Sequence, residues 1–149
     1  MEALHRYLGN LAGIRAQVGG CLYVGRVPRQ AVPLALTMRR ISAETYYSLA
    51  NEQELRHSIV EMSSWATNPK GFQHATALDE LVRDALSGFD RTNTHGGLMG
   101  GLAITGCTSI SGPNDTTFKP EDGTDKWTFR VSTDYRICHE QAIPSFGLV

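Results

Sequence analysis

Three cysteines in 149 residues, Cys21, Cys107 and Cys138, are too few, too scattered and odd in number to frame a disulfide-stapled fold. They fit reduced thiols. No apolar run approaches the length of a membrane span, and the N-terminal MEALHRYLGN lacks the continuous apolar core of a signal peptide. A protein made and kept in the cytosol is the expectation. No Lys/Arg cluster interleaved with aromatics is present, which argues against a sequence-specific nucleic-acid reader. Metal-ligand spacing is missing as well. His5, His57, His74, His95 and His139 form no i,i+4 helical pair, there is no C-x-x-C, and the adjacent Cys138 and His139 would point to opposite faces of a strand. No serine sits in a G-x-S-x-G elbow, and Cys107 has no histidine near it in sequence. The run Gly96-Gly97-Leu98-Met99-Gly100-Gly101 lacks the Lys-Ser/Thr ending of a phosphate loop and leads into a strand, so it reads as a loop before a bulged strand. No catalytic, cofactor-binding or metal-binding residue is therefore assigned.

What the chain does have is the composition of one ordinary globular domain spanning 1–149. Its hydrophobic content of 41% excludes a disordered chain. The net charge of −1 conceals an asymmetry: residues 1–50 carry six Lys/Arg against two Asp/Glu (+4), and residues 51–149 carry eight against thirteen (−5). Such halves arise by accident of composition or mark complementary faces between subunits. Arg39-Arg40, with Arg26 and Arg29 upstream, is the densest basic group. It reads either as a solvated edge or as a rim for acidic protein or DNA phosphates.

The segment from Arg56 to Gly88 organises the rest. Leu78, Leu81, Val82, Ala85 and Leu86 place one apolar stripe along a helix, while Asp79, Glu80, Arg83 and Asp84 occupy its other side, with Asp79 and Arg83 spaced for an i,i+4 pair. Asn68-Pro69 predicts its N-terminus and Gly88 its end. Leu4, Tyr7, Leu8 and Leu11 predict a short N-terminal helix ending near Gly9 to Gly13, and Cys21 to Val24 a short strand. Val27 to Pro33 reads as an extended edge segment.

Leu34, Leu36 and Met38 alternate with Ala35, Thr37 and Arg39 in a strand over 34–43, followed by a long polar loop over Glu44–Glu54 that carries Tyr46 and Tyr47. A second strand, Leu55 to Ala66, has Val60 and Met62 on one face and Ile59 and Trp65 on the other. Leu98, Leu102, Ile104 and Ile110 share a parity in a strand that glycines bend or bulge. Ser111 to Asp125 reads as a protruding loop. Trp127, Phe129, Val131, Tyr135 and Ile137 form the apolar face of the clearest strand, and residues 138–149 read as an arm that orders on assembly. Together these elements predict an α+β, two-layer sandwich. It has a roughly four-stranded, mainly antiparallel sheet, one long helix packed on one face, and a short N-terminal helix.

In this order the pattern resembles the tail terminator (tail completion) proteins of long-tailed bacteriophages, over roughly residues 3–137. Four features carry the resemblance. They are the N-terminal helix with its Val27-Pro28 to Pro33-Leu34 approach to the first strand, the strand end Met62-Ser63-Ser64-Trp65-Ala66, the helix Ala75 to Leu86, and the strand Arg130 to Arg136. The resemblance implies a structural virion protein without enzymatic activity or cofactor, assembled in the host cytoplasm into a hexameric ring at the tail-head junction. Its partners would be copies of itself, the tail tube protein and a head-tail connector or head-closure protein, with DNA passing through the lumen. Candidate contact residues are Arg26, Arg29, Arg39, Arg40, Tyr46, Tyr47, Phe118, Lys119, Ile143, Phe146 and Leu148. Rival readings are another neck component, a tail tube subunit, or a small bacterial enzyme or ligand-binding domain using Cys107 or a histidine in a cleft.

Overall fold

The computed structural model describes residues 2–25, 33–47, 54–67, 70–87, 98–99, 102–118 and 127–141. Its elements run α1 (Glu2–Gly9), α2 (Ala12–Val18), β1 (Leu22–Val24), β2 (Leu34–Tyr47), β3 (Glu54–Thr67), α3 (Phe72–Ser87), β4 (Leu98–Met99), β5 (Leu102–Phe118) and β6 (Thr128–Gln141). The sheet has the order β1-β2-β3-β6-β5-β4, with β4 only a two-residue ladder at the start of β5. Four long strands, β2, β3, β6 and β5, are antiparallel to their neighbours, while β1 runs parallel to β2 at Leu36–Met38. The expected architecture is thus present in outline, and the sheet is wider than four strands.

The helices cover one face of this sheet. Leu34, Leu36 and Met38 of β2 lie in register with Ala66, Ser64 and Met62 of β3, and these with Phe129, Val131 and Thr133 of β6. Apart from half-buried Phe129 these residues are buried, and Ala75, Leu78, Val82 and Leu86 of α3 close over them. Period two on the strands and period 3.6 on the helix meet in one core, as each pattern requires. The N-terminal helices complete the layer. Leu4 and Leu8 of α1 and Ile14 and Val18 of α2 are i,i+4 pairs, and all four are buried. Tyr7 Oη donates to the Ala85 carbonyl at 2.8 Å and ties α1 to α3. Burial, with Cys107 nearby, pushes the Tyr7 phenol up to about 12.

The structure corrects several boundaries. One N-terminal helix becomes two, because the chain turns at Asn10 and restarts at Ala12. The expected loop over Glu44–Glu54 shrinks to the connection between Tyr47 and Glu54, since Thr45, Tyr46 and Tyr47 are good strand formers and remain paired to β3. The long helix begins at Phe72, not at Pro69. The Gly71 N–H donates to His74 Nδ1 at 3.2 Å, so a side chain three residues on caps the start. The expected loop from Ser111 is strand as far as Phe118, with its turn formers absorbed by register shifts between Ile104/Gly106, Ser109/Ser111 and Ser111/Asn114. The bulge expected near Gly106 is there. It also reverses the strand's parity, so Ile104 and Cys107 are buried and Ile110 is 41% exposed. The last strand continues through Gln141. Finally, Asp79 is not on the solvated side of α3. It is buried at 2% exposure and accepts a hydrogen bond from Thr133 Oγ1 at 2.9 Å, because α3 crosses β6 where a hydroxyl is available.

Candidate assembly surface

The face of the sheet opposite the helices is built by the other parity of the same strands. Ala35, Trp65, Arg130 and Thr116 form one row across β2, β3, β6 and β5. Thr37, Ser63, Ser132 and Asn114 form the next, and Arg39, Glu61, Asp134 and Ser111 the third. Trp65 is the centre of this face. Its Nε1 donates to Thr37 Oγ1 at 2.9 Å, its ring stacks on Phe118 at 5.6 Å between centroids, and the Arg130 guanidinium lies 5.3 Å from the ring centroid. That arrangement combines aromatic and cation–π attraction on a surface that keeps its polar atoms satisfied.

Arg130 is held in place from two sides. Its Nη2 donates to Glu61 Oε1 at 2.8 Å and its Nε to Ser63 Oγ at 3.2 Å. Arg39 reaches the same Glu61 carboxylate at 3.5 Å, but its side chain is 61% exposed, so this second pair is weak. Asp134 stands beside the group. Burial and then the charge of Glu61 raise its carboxyl above the ordinary value, against the opposite pull of Arg39 and Arg130.

Of the residues expected at contacts, the structure brings Arg39 into this charged row and Phe118, 40% exposed, onto Trp65. Arg40 is an exposed residue of β2 beside a register shift, and Ile41 in that shift is an exposed large hydrophobic. Tyr46 and Tyr47 lie at the end of β2, and their side chains are outside the described residues, as are Arg26, Arg29, Lys119, Ile143, Phe146 and Leu148. Trp65, Glu61, Arg130 and Asp134 are the residues that strand-by-strand reading did not single out. Alternation placed Arg130 and Asp134 on the polar side of their strand and Trp65 on one side of a strand read as apolar on both, but only the β3–β6 register makes these residues neighbours.

On the helix side, a depression of about 250 Å³ lies between the end of α3 and the β5–β6 pair, lined by Arg83, Leu86, Ser87, Cys107, Thr108, Ser109 and Tyr135. No histidine lines it, and no group of three or more His, Cys, Asp or Glu that could hold a metal occurs among the described residues.

No family model matches the chain, and no curated protein matches its sequence. The fold does have a solved counterpart. The chain is similar to one in the virion of a native gene transfer agent particle, with a TM-score of 0.62 and 17% identity, over 94% of this chain and 93% of that one. Likeness at that identity is one of fold.

Proposed function

We propose that the chain is a structural, non-catalytic component of a phage-like particle, and within it the tail terminator. In this role it forms a ring on the head-proximal end of the tail tube and joins it to the connector. The observation that carries the reading is the fold likeness to a chain of a gene transfer agent virion, which covers more than nine-tenths of both proteins. The resemblance of residues 3–137 to terminators supplies the finer assignment. The physical form suits the role. The sheet face opposite the helices carries the partly exposed Trp65, Phe118, Arg39 and Arg130 for contact with neighbours, and a heterologous contact between unlike faces closes into a ring when the rotation allows. DNA passes through such a ring without sequence-specific contact.

The test is co-expression with a candidate tail tube protein from the same genome, followed by native mass spectrometry and negative-stain electron microscopy. Single rings, free or capping short tubes, are expected. Long tubes made of this chain alone would reassign it as a tube subunit. A strict monomer at high concentration that binds neither tube nor connector would overturn the virion reading altogether.

A further inference from the structure

The two broad faces of the chain present different chemistry to solvent. Along α3, Gln73, Ala77, Glu80, Asp84 and Ser87 are all exposed, and their alternating spacing of four and three residues sets them in one straight stripe. The first half of the stripe is uncharged and the second half acidic. Glu80 and Asp84 are like charges one turn apart, which repel, and the negative end of the helix dipole lies beside them. No basic residue stands in the last turn of α3, and neither carboxylate forms an ion pair with a described residue, Arg83 pairing instead with Asp79. No described residue offsets this repulsion by an ion pair.

The opposite face of the sheet is divided in the complementary way. The small residues Ala35, Thr37, Ser63 and Ser132 are buried there, and the side chains that reach solvent stand in two groups. One is aromatic, Phe118 stacked on Trp65. The other is cationic: Arg39, whose side chain is 61% exposed, and Arg136, exposed and without an ion pair among the described residues. The acids of this face are less available, since Glu61 is 17% exposed and holds Arg130, and Asp134 is half-buried. Trp65 and Arg136 lie three rows apart in the β3–β6 register, about 20 Å along the strands, and the stripe from Gln73 to Asp84 is about 16 Å long. Arg39 and Arg136 are two strands and one row apart, about 12 Å between Cα atoms, so two carboxylates one helical turn apart fit between their side chains.

We propose that α3 of one copy of this chain docks on the opposite sheet face of the next copy. The uncharged half of the stripe, Gln73 and Ala77, lies against Trp65 and Phe118, and Glu80 and Asp84 meet Arg39 and Arg136. Charge and polarity then match along the whole stripe, with aromatic and arginine side chains of the kind that interfaces favour. The contact joins unlike faces and is therefore heterologous, the kind that closes into a ring. It rests on the ring reading above and gives that ring its subunit junction.

Two charge-reversed variants of the full chain test it, by sedimentation velocity and native mass spectrometry, alone and with the candidate tube protein. Glu80→Lys with Asp84→Lys places cations on the stripe, and Arg39→Glu with Arg136→Glu places anions on the sheet face. Each variant by itself should assemble at least about tenfold more weakly than the wild type. Mixed in equal amounts, the two should assemble again, because alternating subunits bring opposite charges together at every junction of an even-numbered ring. Either variant assembling as well as the wild type, or a mixture no better than its components, overturns this contact and leaves the ring reading standing. A wild type that never self-associates, alone or on tubes, overturns both. Should Arg39→Glu unsettle Glu61 enough to lose the fold by circular dichroism, the single changes Asp84→Lys and Arg136→Glu, both at exposed positions, carry the same test.

Discussion

Gly112 is where a single methyl group should do most damage. Its φ is +103°, and a Cβ added there would stand 2.6 Å from the Ser132 carbonyl oxygen, 3.0 Å from Thr133 Cα and 3.3 Å from Thr133 Oγ1. Two costs add in Gly112→Ala. A left-handed backbone is unfavourable for alanine by about 1–2 kcal/mol. The contact with backbone atoms cannot be relieved by a rotamer, so β5 must move off β6, at about 1–3 kcal/mol by analogy with overpacked cores. The expected loss is about 2–5 kcal/mol. For a chain of this size that corresponds to a Tm lower by very roughly 5–15 °C.

Two controls separate these costs. Gly25 also has a positive φ (+98°) but open space around its Cβ position, so Gly25→Ala should lose only the backbone share. Gly106 has open space and no such φ, so Gly106→Ala should be near neutral. Thermal and urea unfolding followed by circular dichroism give the three values. If Gly112→Ala is no worse than Gly25→Ala, the close approach of β5 to β6 described above is wrong.

Other expectations concern the polar groups. Asp79→Ala leaves the Thr133 hydroxyl unpaired in the core and Arg83 without its carboxylate, and should cost about 1–3 kcal/mol in urea unfolding, the partial exposure of Arg83 keeping it below a fully buried pair. Asp79→Asn, which keeps an acceptor for Thr133, should cost clearly less. Arg130→Ala removes the bonds to Glu61 and Ser63 and the cover over Trp65, and should lose about 1–2 kcal/mol together with a change in tryptophan emission. A Glu61→Gln result as severe as Arg130→Ala would show that charge, not packing, dominates there. Burial pushes the phenols of Tyr7 and Tyr135 up to about 12, the nearby Cys107 helping at Tyr7 and Asp79 at Tyr135. Their folded-state values exceed the ordinary 10.0, so the native state retains protons that the unfolded chain gives up. Stability should fall as pH rises from about 10 to 12, and absorbance titration should find two tyrosines that ionise only as that happens.

Two parts of the chain spoke for themselves. The stripe Leu78, Val82 and Leu86 and the alternation of Val131, Tyr135 and Ile137 are local periodicities, and the structure buries all six residues as the patterns demand. Leu34, Leu36 and Met38 did the same for β2. Local rules misled where neighbours override them. Turn-forming residues after Ser111 are tolerated because β5 pairs irregularly and, among the described residues, its outer side meets only the two residues of β4. Asp79 looks solvated on a helical wheel, since a wheel cannot contain Thr133, which lies 54 residues away. The sheet face opposite the helices shows the same division. Each of Trp65, Glu61 and Arg130 is placed on its face by its own strand, yet their contacts exist only because β3 lies beside β6 in one register.

The amino-acid order thus settled the long helix, the central part of each main strand and which sides of these seek the core, because those properties depend on residues a few positions apart. The sheet order, the parity reversal along β5 and the pairing of a buried carboxylate with a hydroxyl on another element were decided by the folded chain alone. Each depends on which surfaces meet once the two hairpins join through β3 and β6, and no short-range pattern encodes that meeting.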